Sequence, residues 1–314
     1  MKTFDVIIVG AGPAGLCAAL YCGRSMLKAV VLEKGVPGGE LLNTERIEDF
    51  IGFESIAGFE LAEKFTQHAL KFGAELVTDA VQSVEPRADG WFDVRTEGGD
   101  AYEAPAVILT AGGTPVKLGV PGEVEYAGKG VSYCAVCDGH FFRGEVVAVV
   151  GGGDAALEEA DFLTRYASKV HLIHRRDAFR ASPIVQKHAL ANPKIEVVLD
   201  TVVDRIEGDA GAVRQLALRN VKTGAASALS VGGVFVFVGF KPNTGVVKGH
   251  FTHDEAGYII TDTVMMSSIP GLFAAGDVRA QLTRQVTTAV GDGTTAAIAV
   301  LKYLGERKSA GAGG

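Results

Sequence analysis

The chain has 314 residues, 47% of them apolar and 21% charged, which is enough for two globular cores of ordinary size. A net charge of −7, with no basic patch interleaved with aromatics, argues against a nucleic-acid partner. No apolar run approaches the ~18 residues of a membrane span, and the start lacks the charged, apolar and cleavable regions of a signal peptide, so a soluble cytoplasmic protein is expected.

Residues 4–9, apart from Asp5, are apolar and mostly β-branched and run into Gly10-Ala-Gly12-Pro13-Ala14-Gly15, followed by a helix-like stretch at 16–26. A second apolar run, 29–32, ends in Glu33, 23 residues after Gly10. Strand, glycine turn, helix and strand make one βαβ unit, in which the glycines admit a pyrophosphate to the helix N-terminus and the Glu33 carboxylate accepts hydrogen bonds from ribose hydroxyls. A simple tight glycine turn is the plainer alternative. Cys17 and Cys22 lie five apart on this helix, face different directions, and read as small core residues. Residues 106–113 read as a strand closing in the Gly112-Gly113 turn.

Cys134-Ala-Val-Cys137-Asp138-Gly139 follows. With four cysteines in a reducing compartment, a structural disulfide framework is not expected, and a C-x-x-C pair is catalytic or metal-binding. Two intervening residues allow an easily reduced disulfide, and Asp138 stands where it can donate or accept a proton. Zinc is the alternative, with His140 as a third ligand in C-x2-C-x2-H. Such sites need four ligands and there is no second cysteine pair, so no metal is expected.

The βαβ pattern then returns. Residues 146–150 lead into Gly151-Gly152-Gly153-Asp154-Ala155-Ala156 and a helical stretch at 157–167, and the strand 169–173 ends in His174-Arg175-Arg176-Asp-Ala-Phe-Arg180. Arg175 lies 24 residues past Gly151, nearly the offset that separates Glu33 from Gly10, so the chain repeats one architectural unit. A carboxylate repels a 2′-phosphate, whereas guanidinium groups bind it through charge-assisted hydrogen bonds; the alternative is a solvated charged face. The first unit therefore wants a dinucleotide with a free 2′-hydroxyl, FAD or NAD, and the second wants NADP. Beside NADP in one chain, FAD is the more economical choice. Late in the chain, an apolar run at 269–275 ends in Gly276-Asp277, whose carboxylate can hold a polyol hydroxyl such as the ribityl chain.

Breakers place the boundaries. The second βαβ unit lies between Gly112-Gly-Thr-Pro115 and Gly239-Phe-Lys-Pro242-Asn, so residues 116–243 are expected as an NADPH-binding domain carrying the C-x-x-C, inserted into a discontinuous FAD domain of residues 1–115 and 244–314. The fold class is α/β, with two Rossmann-like three-layer dinucleotide-binding domains. The Gly/Pro connections read as hinges, and residues 309–314 as a frayed tail. The electron count closes: a hydride from NADPH carries two electrons, flavin accepts them, and a disulfide consumes two.

At this point the sequence resembles the low-molecular-weight thioredoxin reductases, FAD-dependent pyridine nucleotide-disulfide oxidoreductases. The resemblance covers nearly the whole chain through IIVGAGPAG, GGELLNTERIEDF, CAVCDG, VVGGGDAALEEA, HRRDAFRAS, GLFAAGDV and RQVTTAVGDG. It implies reduction of the disulfide of thioredoxin, a homodimer joined mainly through FAD domains, and an NADPH domain that rotates. Carried onto this chain, Cys137 faces the flavin, Cys134 attacks the disulfide of thioredoxin, and Asp138 is acid and base. Arg175, Arg176 and Arg180 hold the 2′-phosphate, and Asp277, Arg284, Gln285 and Val286 contact FAD. Lys34, Gly39, Glu40, Leu41, Asn43, Asp49, Val81, Ala111 and Gly112 complete the candidate flavin site. Gly151, Gly153, Asp154, Ala155, Ala156 and His174 complete the candidate NADPH site.

Three positions depart from the family pattern. Glu40 stands for a common glutamine and Asp49 for a common asparagine, both in the segment that approaches the flavin, and Ala155 stands for a serine or threonine. Ionised carboxylates there would lower the flavin potential, and the missing hydroxyl would weaken the hold on NADPH. Other readings keep the chemistry and change a partner: a glutaredoxin-like protein, a peroxiredoxin or a small disulfide as acceptor, or ferredoxin as donor. A further one is a nucleotide-sensing flavoprotein with a zinc-bound C-x-x-C.

Overall fold

The computed structural model describes residues 1–44, 46–209 and 211–311, and leaves aside the side chains of Arg46, Cys137, Phe240 and Ala310. These residues form two compact units, Met1–Thr114 together with the segment that starts at Lys241, and Pro115–Phe240.

In the first unit, five parallel strands lie in the order Leu272–Ala274, Val107–Leu109, Val6–Val9, Ala29–Glu33 and Glu75–Thr78. They read as continuous apolar runs because both faces are covered. Period-two alternation splits them: Val6, Ile8, Val31, Ile108 and Phe273 face the helices, while Ile7, Val9, Val30, Leu32 and Leu109 face the opposite layer. The helical layer holds Pro13–Arg24 and the long C-terminal helix Val286–Gly311. Small residues let those two approach: a methyl on Gly293 would stand 2.2 Å from the Ala14 carbonyl oxygen. The opposite layer is a four-stranded sheet of Lys2–Thr3, Ala101–Ala104, Phe92–Thr96 and Val81–Pro86, which buries Phe92, Val94 and Tyr102.

The second unit repeats the plan. Its parallel sheet runs Val131–Ser132, Gly233–Phe237, Val146–Gly151, Lys169–Ile173 and Ile195–Val198. Helices Asp154–Leu163 and Pro183–Ala191 cover one face, and the antiparallel strands Thr201–Gly208, Val213–Asn220 and Ala226–Ser230 cover the other. The fold is thus mixed α/β with parallel sheets in both units, as the sequence leads one to expect. Residues 309–311, expected to fray, finish the C-terminal helix instead, and 312–314 lie outside the described residues. No described helix is long and apolar enough to cross a membrane.

Candidate active site

Each unit builds a glycine turn between its central strand and the helix that follows it. In the first, Gly10 has φ +103° and a methyl there would stand 2.7 Å from the Thr110 carbonyl oxygen, while one on Gly15 would stand 2.0 Å from the Gly10 carbonyl oxygen. The protein itself demands glycine at both. Gly12 differs: its φ is −74°, and the nearest atom to a methyl there is Gly39 Cα at 4.0 Å. In the second unit a methyl on Gly151 would meet the Phe237 carbonyl oxygen at 2.4 Å and one on Gly152 the His174 ring at 2.2 Å, whereas Gly153, at φ −98°, has nothing within 4 Å. Gly12 and Gly153 occupy the same place in the two turns, and both are helix N-caps without a side-chain cap. Space kept clear by glycine in front of uncapped N–H groups fits a pyrophosphate, so the residues present suit a dinucleotide in each unit.

The strand ends differ in charge. Glu33 Oε2 accepts from Ala11 N at 2.7 Å and Oε1 from Gly35 N at 3.0 Å, which fixes the carboxylate beside the turn with lone pairs to spare. At the equivalent end of the second unit, Arg175, Arg176 and Arg180 are exposed and none pairs with a carboxylate among the described residues; neighbouring Asp177 is instead taken by Lys222 at 3.0 Å. Three guanidinium groups stand unneutralised beside the turn, and Arg180 N donates to Gly152 O at 2.7 Å. His174 turns inward, 7% exposed, with Nε2 3.1 Å from Ala178 O; burial pushes its imidazole below the usual range, so it is neutral packing under Gly152. Asp154 Oδ1 accepts from Ser182 N at 2.5 Å and ties the arginine loop to the helix start. Ala155 is exposed in the first turn of that helix and Ala156 is buried.

The first unit gathers distant segments around its turn. A methyl on Gly39 would stand 3.1 Å from Gly12 Cα, and Gly276 (φ +73°) lies against Ala14, where a methyl would come within 2.9 Å of its Cβ. Gly39–Asn43 is a single 3-10 turn in which Leu41 is buried and Asn43 Nδ2 donates to Glu40 Oε2 at 3.2 Å. Val286 packs on the same cluster as Leu41. Glu40 keeps a solvent-facing surface yet is recessed among its neighbours, and that desolvation raises its carboxyl above the usual range against the opposing pull of Asn43 and Lys34. The Asp277 carboxyl is raised too, first by burial, which prevails over the attraction of Arg284, with smaller contributions from the negative charges of Glu40 and Asp292. Arg284 lies over the Tyr258 ring at 4.1 Å, and Gln285 N donates to Thr288 Oγ1 at 3.1 Å. Ala111 and Gly112 are held by Asn243, whose Nδ2 donates to Ala111 O at 2.8 Å and whose N–H donates to Gly112 O at 2.9 Å. Lys34 and Asp49 are exposed, and Val81 opens the edge strand Val81–Pro86 of the antiparallel sheet, partly buried against the cluster between that sheet and the parallel one.

The thiol segment lies in the second unit. Cys134 is in a disulfide, while Cys17 and Cys22 are free; the side chain of Cys137 lies outside those described. A sulfur so bonded is not a thiolate available to zinc. Cys22 is fully buried, its thiol pushed up to about 12 by desolvation, and Cys17 Sγ stands 3.2 Å from Thr294 Oγ1. Cys134 precedes the short helix Ala135–Asp138, and Ser132 Oγ bridges it to Asp138 Oδ2.

Three groups escape the sequence reading. Asp292, buried at 9% exposure, accepts from Gly276 N at 3.1 Å and from Arg279 Nη1 at 3.2 Å, and so fixes the turn that bears Asp277. The signal was available, because an aspartate between two glycines inside a helix is poor helix chemistry. Glu123, 1% exposed, accepts from the N–H groups of Leu118 and Gly119 and from Tyr133 Oη at 2.7 Å, anchoring the strand that leads to Cys134. The third is Ser132.

A disulfide in one unit with a glycine turn and unpaired guanidinium groups, joined in one chain to a second such turn, is the equipment of a nucleotide-dependent disulfide oxidoreductase. The pattern of the family "Pyridine nucleotide-disulphide oxidoreductase" matches residues 4–293, and the chain belongs to that family. It is 45% identical over 309 residues to a thioredoxin reductase of Listeria innocua, covering 98% of this chain and 96% of the relative. It is likewise 45% identical over 305 residues to one of Bacillus subtilis, covering 97% and 96%. The crystal structure of Lactococcus lactis thioredoxin reductase superposes with a TM-score of 0.94 at 44% identity, covering 96% of this chain and 99% of that one.

Proposed function

We propose that this chain is a thioredoxin-disulfide reductase, with FAD as resident cofactor and Cys134 and Cys137 as the exchanging pair. The net reaction is NADPH plus a proton plus the disulfide of thioredoxin, giving NADP+ and the dithiol. The observation that carries it is a disulfide-bonded Cys134, linked through Ser132 to Asp138, in the same unit as three unneutralised arginines beside a cleared glycine turn. The relatives' names support the choice of thioredoxin over a glutaredoxin-like protein, a peroxiredoxin or a small disulfide, and the arginines favour NADPH over ferredoxin.

The first unit would hold FAD: Gly12, in the turn that Gly10 and Gly15 shape, admits the pyrophosphate, Glu33 accepts from the ribose, and Asp277 accepts from the ribityl chain. Bound there, flavin would supply the two-electron relay between nicotinamide and disulfide. In the second unit Gly153, in the turn that Gly151 shapes, admits the pyrophosphate of NADPH, and Arg175, Arg176 and Arg180 take its 2′-phosphate. Cys134 attacks the disulfide of thioredoxin, Cys137 is the flavin-facing sulfur, and Asp138 holds and returns the proton. We take the working form to be a homodimer in the cytoplasm, on the resemblance alone. Purified protein should reduce thioredoxin with NADPH at a kcat/KM at least about 100-fold above that for the other three acceptors; a higher value for any of them would replace thioredoxin as substrate.

Two outcomes follow from the site geometry. Gly153→Ala should change stability by less than about 1 kcal/mol, since the methyl meets no protein atom, yet raise the Kd for NADPH about tenfold. Thermal unfolding and a binding titration read both, and unchanged affinity would mean that the cleared space holds nothing. Glu40→Gln should raise the flavin midpoint potential by about 30 mV near neutral pH, the two-electron equivalent of roughly 1.4 kcal/mol, because a carboxylate opposes added electrons. The raised carboxyl of Glu40 sets the sign of the pH dependence. As pH falls Glu40 takes up its proton, and the difference between the two proteins should shrink. A potential unchanged by the substitution at every pH would remove Glu40 from the flavin's surroundings.

A further inference from the structure

Ser132 is 4% exposed and its Oγ has three partners: it accepts from Cys134 N at 3.0 Å, and it lies 2.6 Å from Asp138 Oδ2 and 3.1 Å from the Cys134 carbonyl oxygen. A hydroxyl has one proton and two lone pairs, so it can serve only one of those two acceptors at a time. With Asp138 ionised, the proton goes to its carboxylate, and 2.6 Å is the short separation expected for a charged acceptor. With Asp138 protonated, the carboxyl O–H donates to Ser132 Oγ, and the serine proton turns to the Cys134 carbonyl. In both states every donor has an acceptor, and the Cys134 N–H never loses its own.

We propose that Ser132 is a positioning residue for disulfide exchange: its hydroxyl swings between Asp138 and the Cys134 carbonyl, so that Asp138 changes protonation state without leaving its place beside the thiol segment. The inference rests on the acid–base role given to Asp138 above. In the exchange, Asp138 receives the proton of the attacking Cys134 thiol as that sulfur bonds to one sulfur of the substrate disulfide, and returns it to the substrate sulfur that leaves. The second thiol then closes the protein disulfide, and its proton passes to the second departing sulfur. Two thiols are oxidised, one disulfide is reduced, and no net proton is consumed.

The test is single-turnover reduction of thioredoxin by the prereduced, flavin-loaded protein, in a double-mutant cycle. Asp138→Asn should slow this step about 100-fold and Ser132→Ala about tenfold, while Ser132→Thr, which keeps the hydroxyl, should recover most of the rate. In the Asp138→Asn background, Ser132→Ala should cost less than about twofold, because its partner no longer titrates. Bleaching of the flavin by NADPH in each variant shows that the fold is intact. Should Ser132→Ala bind no flavin, Ser132→Cys takes its place in the cycle. A wild-type rate for Asp138→Asn overturns both readings. A slow Asp138→Asn with a full tenfold loss on adding Ser132→Ala, or no recovery by Ser132→Thr, overturns this one alone.

Discussion

Cys134→Ser is expected to lower NADPH-driven reduction of thioredoxin by more than about 1,000-fold while leaving bleaching of the flavin by NADPH in place. The attacking group must be a thiolate, and a serine hydroxyl is neither ionised near neutral pH nor able to form the mixed disulfide through which exchange proceeds. Losing a nucleophile that acts as part of a unit removes nearly all of the unit's contribution. The fold should tolerate the change. The segment is held by backbone groups, Cys134 N to Ser132 Oγ at 3.0 Å and Asp138 N to Cys134 O at 3.2 Å, neither of which needs the sulfur. Turnover of thioredoxin within tenfold of the parent would mean that the electrons leave by another route.

Replacing Arg175 and Arg176 together with alanine is expected to raise the KM for NADPH about 100-fold, with the KM for NADH moved by less than about threefold. Each guanidinium lost from a phosphate forfeits a charge-assisted hydrogen bond, about tenfold apiece at an exposed site. The selectivity is the informative part. NADH lacks the 2′-phosphate, so a loss confined to NADPH places the arginines at that group. An equal loss for both nucleotides would reduce them to general attraction for polyphosphate, and no loss to either would make them a solvated face. Because Arg175 and Arg176 form no ion pair among the described residues, no carboxylate is left bare by the change, and stability should move little.

The two βαβ units were legible because their signals are local. An apolar run, a glycine turn and a helix occupy consecutive residues, and the charge that follows the second strand, Glu33 in one unit and Arg175 in the other, stands at a fixed offset. What escaped was made by distance or by broken periods. Residues 201–230 carry three antiparallel strands that no pattern announces, since an irregularity between Val203 and Arg205 upsets the alternation that would have marked the first of them. Asp292 meets Gly276 only after the C-terminal helix returns to the sheet, a contact with no trace in local spacing. Ser132 is closer, two residues from Cys134, yet a serine at that spacing is too common to single out before its hydroxyl is seen 2.6 Å from Asp138. The residues around the two glycine turns are also of two kinds. Gly12 and Gly153 are glycines that the protein does not itself require, whereas His174 and Asp154 spend their side chains on the chain's own backbone, at Ala178 O and Ser182 N. Sequence pattern gives both kinds the same weight, and only geometry separates them.

Anaerobic titration of the flavin-loaded protein with NADPH, counting reactive thiols at each addition, bears most directly on the route from nucleotide to sulfur. Two new thiols per chain should appear as the flavin bands respond, and Cys134→Ser should yield no such pair. A flavin that bleaches fully while the thiol count stays at its starting value would contradict the account, because the electrons would then have no path to the cysteines.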